Sequence, residues 1–311
     1  MRSAFQQLAP QRRTFLAVVR LFLAASLSGW SMTPGAHAWE PSDDVVRGNA
    51  SLELRLNALK ESSGLAFSLR EPNCVWTHND SGGQARLFAF DDQGRSCGRV
   101  IVKGIKANDW EDIASFDDDG PRLLIADVGD NDHQRSSVSL YLLDEPNPQT
   151  HSRITPYVHL VVRYANGAQN CESVAVDVKN RRIWLLSKSG LVASLHELEL
   201  PKRESITPAA DDAGEAVPTI EVTTTLVRRV PVPLATGMDF CPRTGDLWIC
   251  SYLNAFHVKT DAGRDLPTRF SKTPALVNLP KLKQIEAVAV DRSGRVWVSS
   301  EGFPTQMHRV K

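Results

Sequence analysis

Three glutamates, Glu111, Glu172 and Glu286, each open a short apolar stretch of the same form, and Ser63 and Thr236 open two more. A second polar set is as regular. Asp80, Asp127, Lys188, Tyr252 and Glu301 each stand four residues after a tryptophan, or after Leu123 in the second instance. Glu61 and Asp109 lie two residues upstream of Ser63 and Glu111, and His78, Asn79, Asp130, Asn131 and Arg135 lie close by in sequence. Carboxylates gathered at low dielectric repel one another, so they protonate, pair with a base such as Lys188 or Arg135, or hold a cation. An oxygen-rich set that includes asparagine suits Ca2+ better than Mg2+ or Mn2+. The metal ligands this predicts are Glu111, Glu172 and Glu286, helped by Asp80 or Asp127. Glu61, Asn79, Asp109, Asn131, Arg135, Lys188, Tyr252 and Glu301 would line the ligand site around them. In a metal-assisted hydrolysis, His78 or Asp130 would be the general base. Each residue also has a structural reading. Strand-end acids often bond backbone amides, residues 127–131 (Asp-Val-Gly-Asp-Asn) read as a turn without EF-hand spacing, and His78 reads as a hydrogen-bonded structural histidine.

These residues have to be positioned by something that repeats. The first set opens the strands Ser63–Phe67, Glu111–Ala114, Glu172–Val176, Thr236–Phe240 and Glu286–Val290. A second strand follows in each copy, its marker residue 13, 12, 12, 12 and 11 residues after the first. The intervening stretches carry turn formers, such as Asp119-Gly120-Pro121 and Arg292-Ser293-Gly294. Third strands are predicted at Leu87–Phe90, Leu140–Leu143, Leu195–Leu198, Ala255–Val258 and Met307–Val310, and fourth strands at Arg99–Val102, His159–Val162, Thr225–Arg228 and Ala275–Asn278. The last copy lacks a fourth strand. The alternating segment Leu52–Leu56 precedes the first copy and would supply it, closing the ring and protecting its edges. The fold predicted is all-β: a five-bladed β-propeller, with six blades as the alternative, closed by an N-terminal strand. The tryptophans read as blade-core packing. The stretch from Pro201 to Pro218 reads as a long loop. In such a disc both polar sets emerge around one mouth of the central channel.

Residues 1–38 read as a secretory signal, with Arg2, Arg12, Arg13 and Arg20, an apolar run from Leu21 to Leu27, and Ala36-His37-Ala38 before Trp39. The pair Arg12-Arg13 leaves the general and twin-arginine routes both open. Residues 39–50 read as a linker and 51–311 as the propeller. The expected location is outside the cytoplasm, periplasmic or secreted, and the expected state is a monomer. Without residues 1–38, Lys+Arg falls from 36 to 32 against 36 acidic residues, a net charge near −4 with no basic block, which excludes nucleic acid as a partner. The run from Leu21 to Leu27 is too short to span a bilayer as a mature helix, and no second apolar run approaches the length of a transmembrane helix. Five cysteines, an odd number, leave at least one without an intramolecular partner. They read mostly as buried packing residues, and Cys74 and Cys97 fall within one repeat, where a bridge is the alternative.

The stretches Glu61-Ser62-Ser63-Gly64-Leu65, His78-Asn79-Asp80-Ser81-Gly82, Asp109-Trp110-Glu111-Asp112-Ile113-Ala114 and Asp127-Val128-Gly129-Asp130-Asn131 with Arg135 resemble a group of exported bacterial propellers of largely uncharacterised function. More distantly the chain resembles the SdiA-regulated periplasmic propellers and the gluconolactonase and esterase-like phytase propellers. The enzyme likenesses imply a metal at the channel mouth, often calcium, and hydrolysis of lactones or phosphoesters; of their site residues only the channel acids match. The expected function is binding of a small ligand, metal or protein at the acidic mouth, with a calcium-dependent hydrolase as the alternative.

Overall fold

The computed structural model describes residues 51–81, 83–206 and 216–310. The signal and linker read from residues 1–50, and much of the loop after Pro201, lie outside them. The regular structure of the described residues is nearly all strand, with a 3-10 turn at Arg203–Ser205 and one four-residue helix, α1 (Leu266–Arg269), whose first turn is capped by the Asp265 side chain accepting from Thr268 N at 2.9 Å.

After β1 (Ser51–Leu54), four strands follow one another as an antiparallel meander: β2 (Ser62–Phe67), β3 (Val75–Asn79), β4 (Arg86–Phe90) and β5 (Ser96–Val102). The pattern recurs in β6 (Trp110–Asp117), β7 (Pro121–Asp127), β8 (Val138–Asp144) and β10 (Val158–Tyr164), with the short β9 (His151–Ile154) inserted before the last. It recurs again in β11 (Cys171–Asp177), β12 (Arg182–Ser187), β13 (Ala193–Glu199) and β14 (Thr219–Val230), and in β15 (Ala235–Phe240), β16 (Leu247–Ser251), β17 (Asn254–Val258) and β18 (Ala275–Asn278). The last set is β19 (Ile285–Val290), β20 (Val296–Ser300) and β21 (Thr305–Arg309), and β1 completes it by pairing antiparallel with β21, Ser51 opposite His308 and Leu54 opposite Thr305.

Two pairings depart from the sequence reading. β9 lies parallel to β5, His151 beside Arg99, and adds a fifth strand to the first sheet. β14 begins earlier than the predicted strand. Its first half, Thr219–Thr224, runs parallel to β10, while its second half pairs antiparallel with β13. One eight-stranded sheet results, and its end strands β6 and β11 lie in contact.

The core explains the arrangement. Each apolar cluster is shared between consecutive units: Trp76 and Leu87 pack with Ile113, Leu123 and Ile125, and Ala126 and Leu140 with Val174 and Leu185. Leu186 and Leu195 pack with Met238 and Ile249, and Trp248 and Cys250 with Val288 and Val298. Ala289 and Trp297 return to Leu65 and Phe88. The first strands touch in the same order, β2 with β6, β6 with β11, β11 with β15, β15 with β19, and β19 with β2. This is the radial packing of a β-propeller, in which each sheet buries both faces against its neighbours.

The inner strands approach too closely for large side chains. A Cβ on Gly64 would lie 2.9 Å from Ile113 N and 2.4 Å from His78 Nε2. Asp112, completely buried, accepts from Ile113 N at 2.9 Å, from Val174 N at 2.8 Å and from Met238 N at 3.3 Å, so a single carboxyl ties β6 to β11 and β15. Burial nevertheless holds its pKa well above the usual carboxyl range. Asp239 makes the corresponding link to Val290 N at 2.8 Å, and burial pushes it up to about 7.

Candidate functional site

Ser63, Glu111, Glu172, Thr236 and Glu286 share more than their place in the repeat. Each is the extra residue where the register between first and second strand slips: Ser62 faces Asn79 and Gly64 faces His78, Trp110 faces Asp127 and Asp112 faces Ala126, with the same slip around Glu172, Thr236 and Glu286. A bulge leaves one residue without a partner opposite and re-aims its side chain. The device is repeated around the ring, at the strand ends where the loops after β3, β7, β12, β16 and β20 also emerge.

The three bulge glutamates are buried, with 7%, 3% and 7% of Glu111, Glu172 and Glu286 exposed. Lys188 Nζ sits 2.6 Å from Glu172 Oε2 and 4.9 Å from the centre of the Tyr252 ring. Asn170 Nδ2 donates to Glu172 Oε1 at 3.3 Å, and Gln284 Nε2 donates to Glu286 Oε1 at 3.1 Å. Ser63 Oγ donates to Glu111 O at 3.2 Å and lies 3.4 Å from Glu111 Oε2. Gly129 makes room for two acids at once, because a Cβ there would lie 2.3 Å from both Asp109 Oδ2 and Glu111 Oε1.

The electrostatics follow from crowding. Burial, then the charges of Glu172 and Asp109, hold Glu111 well above the carboxyl range. Burial pushes Glu286 up to about 8 although Lys188 opposes the shift. Asp109 rises to about 6 through burial and the charges of Asp80 and Glu172. Burial alone would lower Lys188, but Glu172, Tyr252 and Glu286 outweigh it and hold the ammonium well above its ordinary value. Burial lifts Glu172 as well, against the pull of Lys188. The contact at 2.6 Å with a second donor from Asn170 keeps this pair ionised. Burial and the charge of Glu286 raise the Tyr252 phenol. Near neutral pH Glu286 is therefore protonated beside the Lys188–Glu172 pair and can act as a hydrogen-bond donor.

Several predicted site residues are engaged elsewhere. Asp127, fully buried, accepts from Asn108 N at 2.9 Å, Asp109 N at 3.4 Å and Arg135 Nη2 at 2.8 Å. Asp130 takes Gln134 N at 2.8 Å on one oxygen and Arg135 N at 2.9 Å on the other. Both therefore shape the 127–135 loop. Asn131 accepts from Asn170 Nδ2 at 3.1 Å at the exposed rim. Asn79 clamps the preceding loop, accepting from Lys60 N at 2.9 Å and Glu61 N at 3.2 Å and donating to Ala58 O at 2.8 Å. Asp80 caps its own turn at Ser81 N. Glu61 and Glu301 are half-buried at the same strand ends. His78 is completely buried, edge-on to Trp110 at 5.4 Å, with Nδ1 on Asn79 O at 3.0 Å. Burial lowers it to about 4 and keeps the ring neutral. Of the two residues read as a general base, His78 is enclosed and Asp130 has both oxygens on backbone amides.

The donor set as arranged does not fit calcium. Lys188 places an ammonium on Glu172, Asp127 is covered by Arg135 and two amides, and no group of three or more His, Cys, Asp or Glu is arranged around a metal position among the described residues. A groove of about 500 Å³ beside the first sheet, lined by Ala85, Val102, Ile105 and Arg153 among others, includes none of the candidate residues. Among the described residues, no helix is long and apolar enough to cross a membrane.

Asn170 and Gln284 were not singled out from the sequence, though a signal was there. Both stand two residues before a bulge glutamate, as Glu61 and Asp109 stand before Ser63 and Glu111. Asp112 carried no such signal, because its distant partners are backbone amides on β11 and β15.

No protein-family model and no curated protein matches this sequence. Solved structures do match. A gluconolactonase from Xanthomonas campestris is 11% identical over 84% of this chain and 89% of its own, with a TM-score of 0.46. The PQQ-bound aldose sugar dehydrogenase of Streptomyces coelicolor is 12% identical over 85% and 98%, with a TM-score of 0.41. A structure of a nidogen/laminin complex is 13% identical over 79% and 80%, with a TM-score of 0.41. Likeness at this level assigns no activity. The gluconolactonase resemblance has a counterpart here; those to SdiA-regulated and phytase propellers rest on sequence motifs alone.

Proposed function

We propose that the chain is a five-bladed β-propeller, exported by residues 1–38, that binds a small organic cation with an apolar tail at its acidic mouth. Five repeated meanders, the last completed by β1, support this reading. The observation that carries the binding reading is the repeated bulge, which turns Glu111, Glu172 and Glu286 toward the same end of the ring. Nothing in the fold requires three buried carboxyls there, and their mutual repulsion costs stability.

The apolar part of the ligand is supported by the rim. Leu191, Val192, Leu253 and Phe303 are 70%, 45%, 69% and 55% exposed, and are the exposed large hydrophobic residues among the described chain. All four lie in the loops after β12, β16 and β20, directly beyond Lys188, Tyr252 and Glu301. Three consecutive blades thus set apolar side chains beside the acids, a pairing that fits an ammonium or guanidinium group joined to a hydrocarbon. The raised Glu286 gives the binding a pH signature. A cation favours the ionised carboxyl, so its entry expels a proton and its affinity rises as pH passes upward through about 8.

Calorimetric titration with phenethylammonium tests this reading. Binding that strengthens from pH 6 to pH 9, releases protons and is weakened by Glu286→Gln is the expected result. Equal binding of uncharged phenethyl alcohol, or binding of neither, overturns it. Export is tested separately by N-terminal sequencing, which should find the exported chain starting near Trp39; intact Met1 on that form would count against it. For the hydrolase alternative, the two bases read from the sequence, His78 and Asp130, are engaged as described.

A further inference from the structure

We infer that Cys74 and Cys97 are a thiol pair built to close into a disulfide that clips the first sheet. Their sulfurs lie 3.7 Å apart, both as free thiols. Cys74 directly precedes β3 and is held in place by its backbone, its N–H donating to Glu71 O at 2.8 Å and its carbonyl accepting from Ser68 N at 2.9 Å. Cys97 is the extra residue of a bulge in β5: Gly98 faces Ala89 and Ser96 faces Phe90, leaving Cys97 without a residue opposite. That bulge turns its side chain across the sheet end toward Cys74, although β4 separates their strands. A disulfide needs the sulfurs about 2.05 Å apart, so closure requires them to draw together from 3.7 Å, with Cys97 the less buried of the two.

The other cysteines have different surroundings. Cys171 Sγ donates to Leu186 O at 3.2 Å, Cys250 Sγ lies 3.4 Å from Thr236 Oγ1, and Cys241 is buried in the cluster shared by the last two sheets. The odd count therefore resolves into one pair and three packed thiols.

The oxidant required is a disulfide, R–S–S–R, of a small thiol or of a thiol–disulfide exchange protein. The Cys97 thiolate, the more exposed of the two, attacks one sulfur of the oxidant. A Cys97–S–S–R bond forms and RS⁻ leaves, taking up a proton. Cys74 then gives its proton to solvent and attacks Cys97 Sγ, breaking the mixed disulfide and expelling a second RS⁻. Two protein thiols are oxidised and one external disulfide is reduced to two thiols. Burial, and then the neighbouring Cys97, push the Cys74 thiol up to about 12, and burial raises Cys97 too, so closure accelerates as pH rises. The bond would tie the strand leading to His78, Asn79 and Asp80 to β5, two strands away in its sheet.

The test uses the full chain treated with glutathione disulfide at pH 8.5, then unfolded, alkylated and mapped by mass spectrometry. Three alkylated cysteines, and a peptide pair joining Cys74 to Cys97 that separates on reduction, are expected. Five alkylated cysteines, or a bridge using Cys171, Cys241 or Cys250, overturn the inference. Cys74→Ser should trap glutathione on Cys97, because the resolving thiol is gone; a variant that takes up no glutathione also counts against it. The bridged protein should melt several degrees higher than the reduced one, a gain abolished by reductant. A bridged protein that melts no higher overturns the clip.

Discussion

Two carboxylate–cation pairs in this molecule behave as opposites. In the 127–135 loop, Asp127 meets Arg135 at 2.8 Å and also receives two backbone amides. At the mouth, Glu172 meets Lys188 at 2.6 Å, but Glu111 and Glu286 stand close enough for their charges to act on the pair. Asp127 and Glu172 are both almost wholly buried, so burial does not separate them. The surroundings do. Fixed dipoles and a planar guanidinium leave little of Asp127 free to meet a ligand, whereas the mouth concentrates acids that one lysine cannot neutralise. Satisfied charge belongs to the scaffold, and unsatisfied charge marks a place where binding can recover energy.

The largest effect expected from this contrast is at the satisfied pair. Asp127→Ala strands Arg135 and the amides of Asn108 and Asp109, and should lower unfolding free energy by about 3–5 kcal/mol, as loss of one partner of a buried pair does. Urea denaturation measures it; a loss below about 1 kcal/mol would erase the distinction between the two regions. Next comes Lys188→Met, which leaves Glu172 without its counter-charge. A loss of about 2–3 kcal/mol at pH 7 is expected, shrinking as pH falls and Glu172 protonates, and most of it should return in the double variant with Glu172→Gln. A double variant no more stable than Lys188→Met would show that the lysine acts by packing instead.

The smallest effect has the opposite sign. Glu286 has its folded pKa raised to about 8 from 4.5, so its contribution to stability is fully present below about 4.5 and is lost as pH rises through 8. Glu286→Gln should therefore raise the melting temperature at pH 9, by the equivalent of roughly 1–2 kcal/mol after relaxation of the site, and change little at pH 4. A variant less stable at pH 9 than the wild type would mean that the carboxylate is held there by a partner and not repelled.

Much of the scaffold was legible because its causes are local. Trp76, Trp184, Trp248 and Trp297 recur at nearly constant distance from the inner strands because each copy buries the same faces against its neighbours. The closing strand was legible from the alternation of Leu52, Leu54 and Leu56 beside a copy that lacked its fourth strand. What escaped was pairing between units. Residues Thr219–Thr224 carry no mark that distinguishes an outer strand of one sheet from the edge of the next, and β9 is too short and polar to announce itself. Asn170 and Gln284 could have been found by extending the rule that found Glu61 and Asp109.

The order of residues by itself determined that Glu111, Glu172 and Glu286 occupy one position in a repeated unit, because strand periodicity and turn chemistry act over a few residues. Which acids serve the fold and which face a ligand was decided by tertiary structure alone. Asp127 and Glu172 look equally available in the sequence. One is saturated by the amides of Asn108 and Asp109 and by Arg135; the other faces carboxyls brought from strands whose glutamates, Glu111 and Glu286, lie 61 and 114 residues away in the chain. A carboxyl's partners are fixed by distances in space, and ring closure sets those distances.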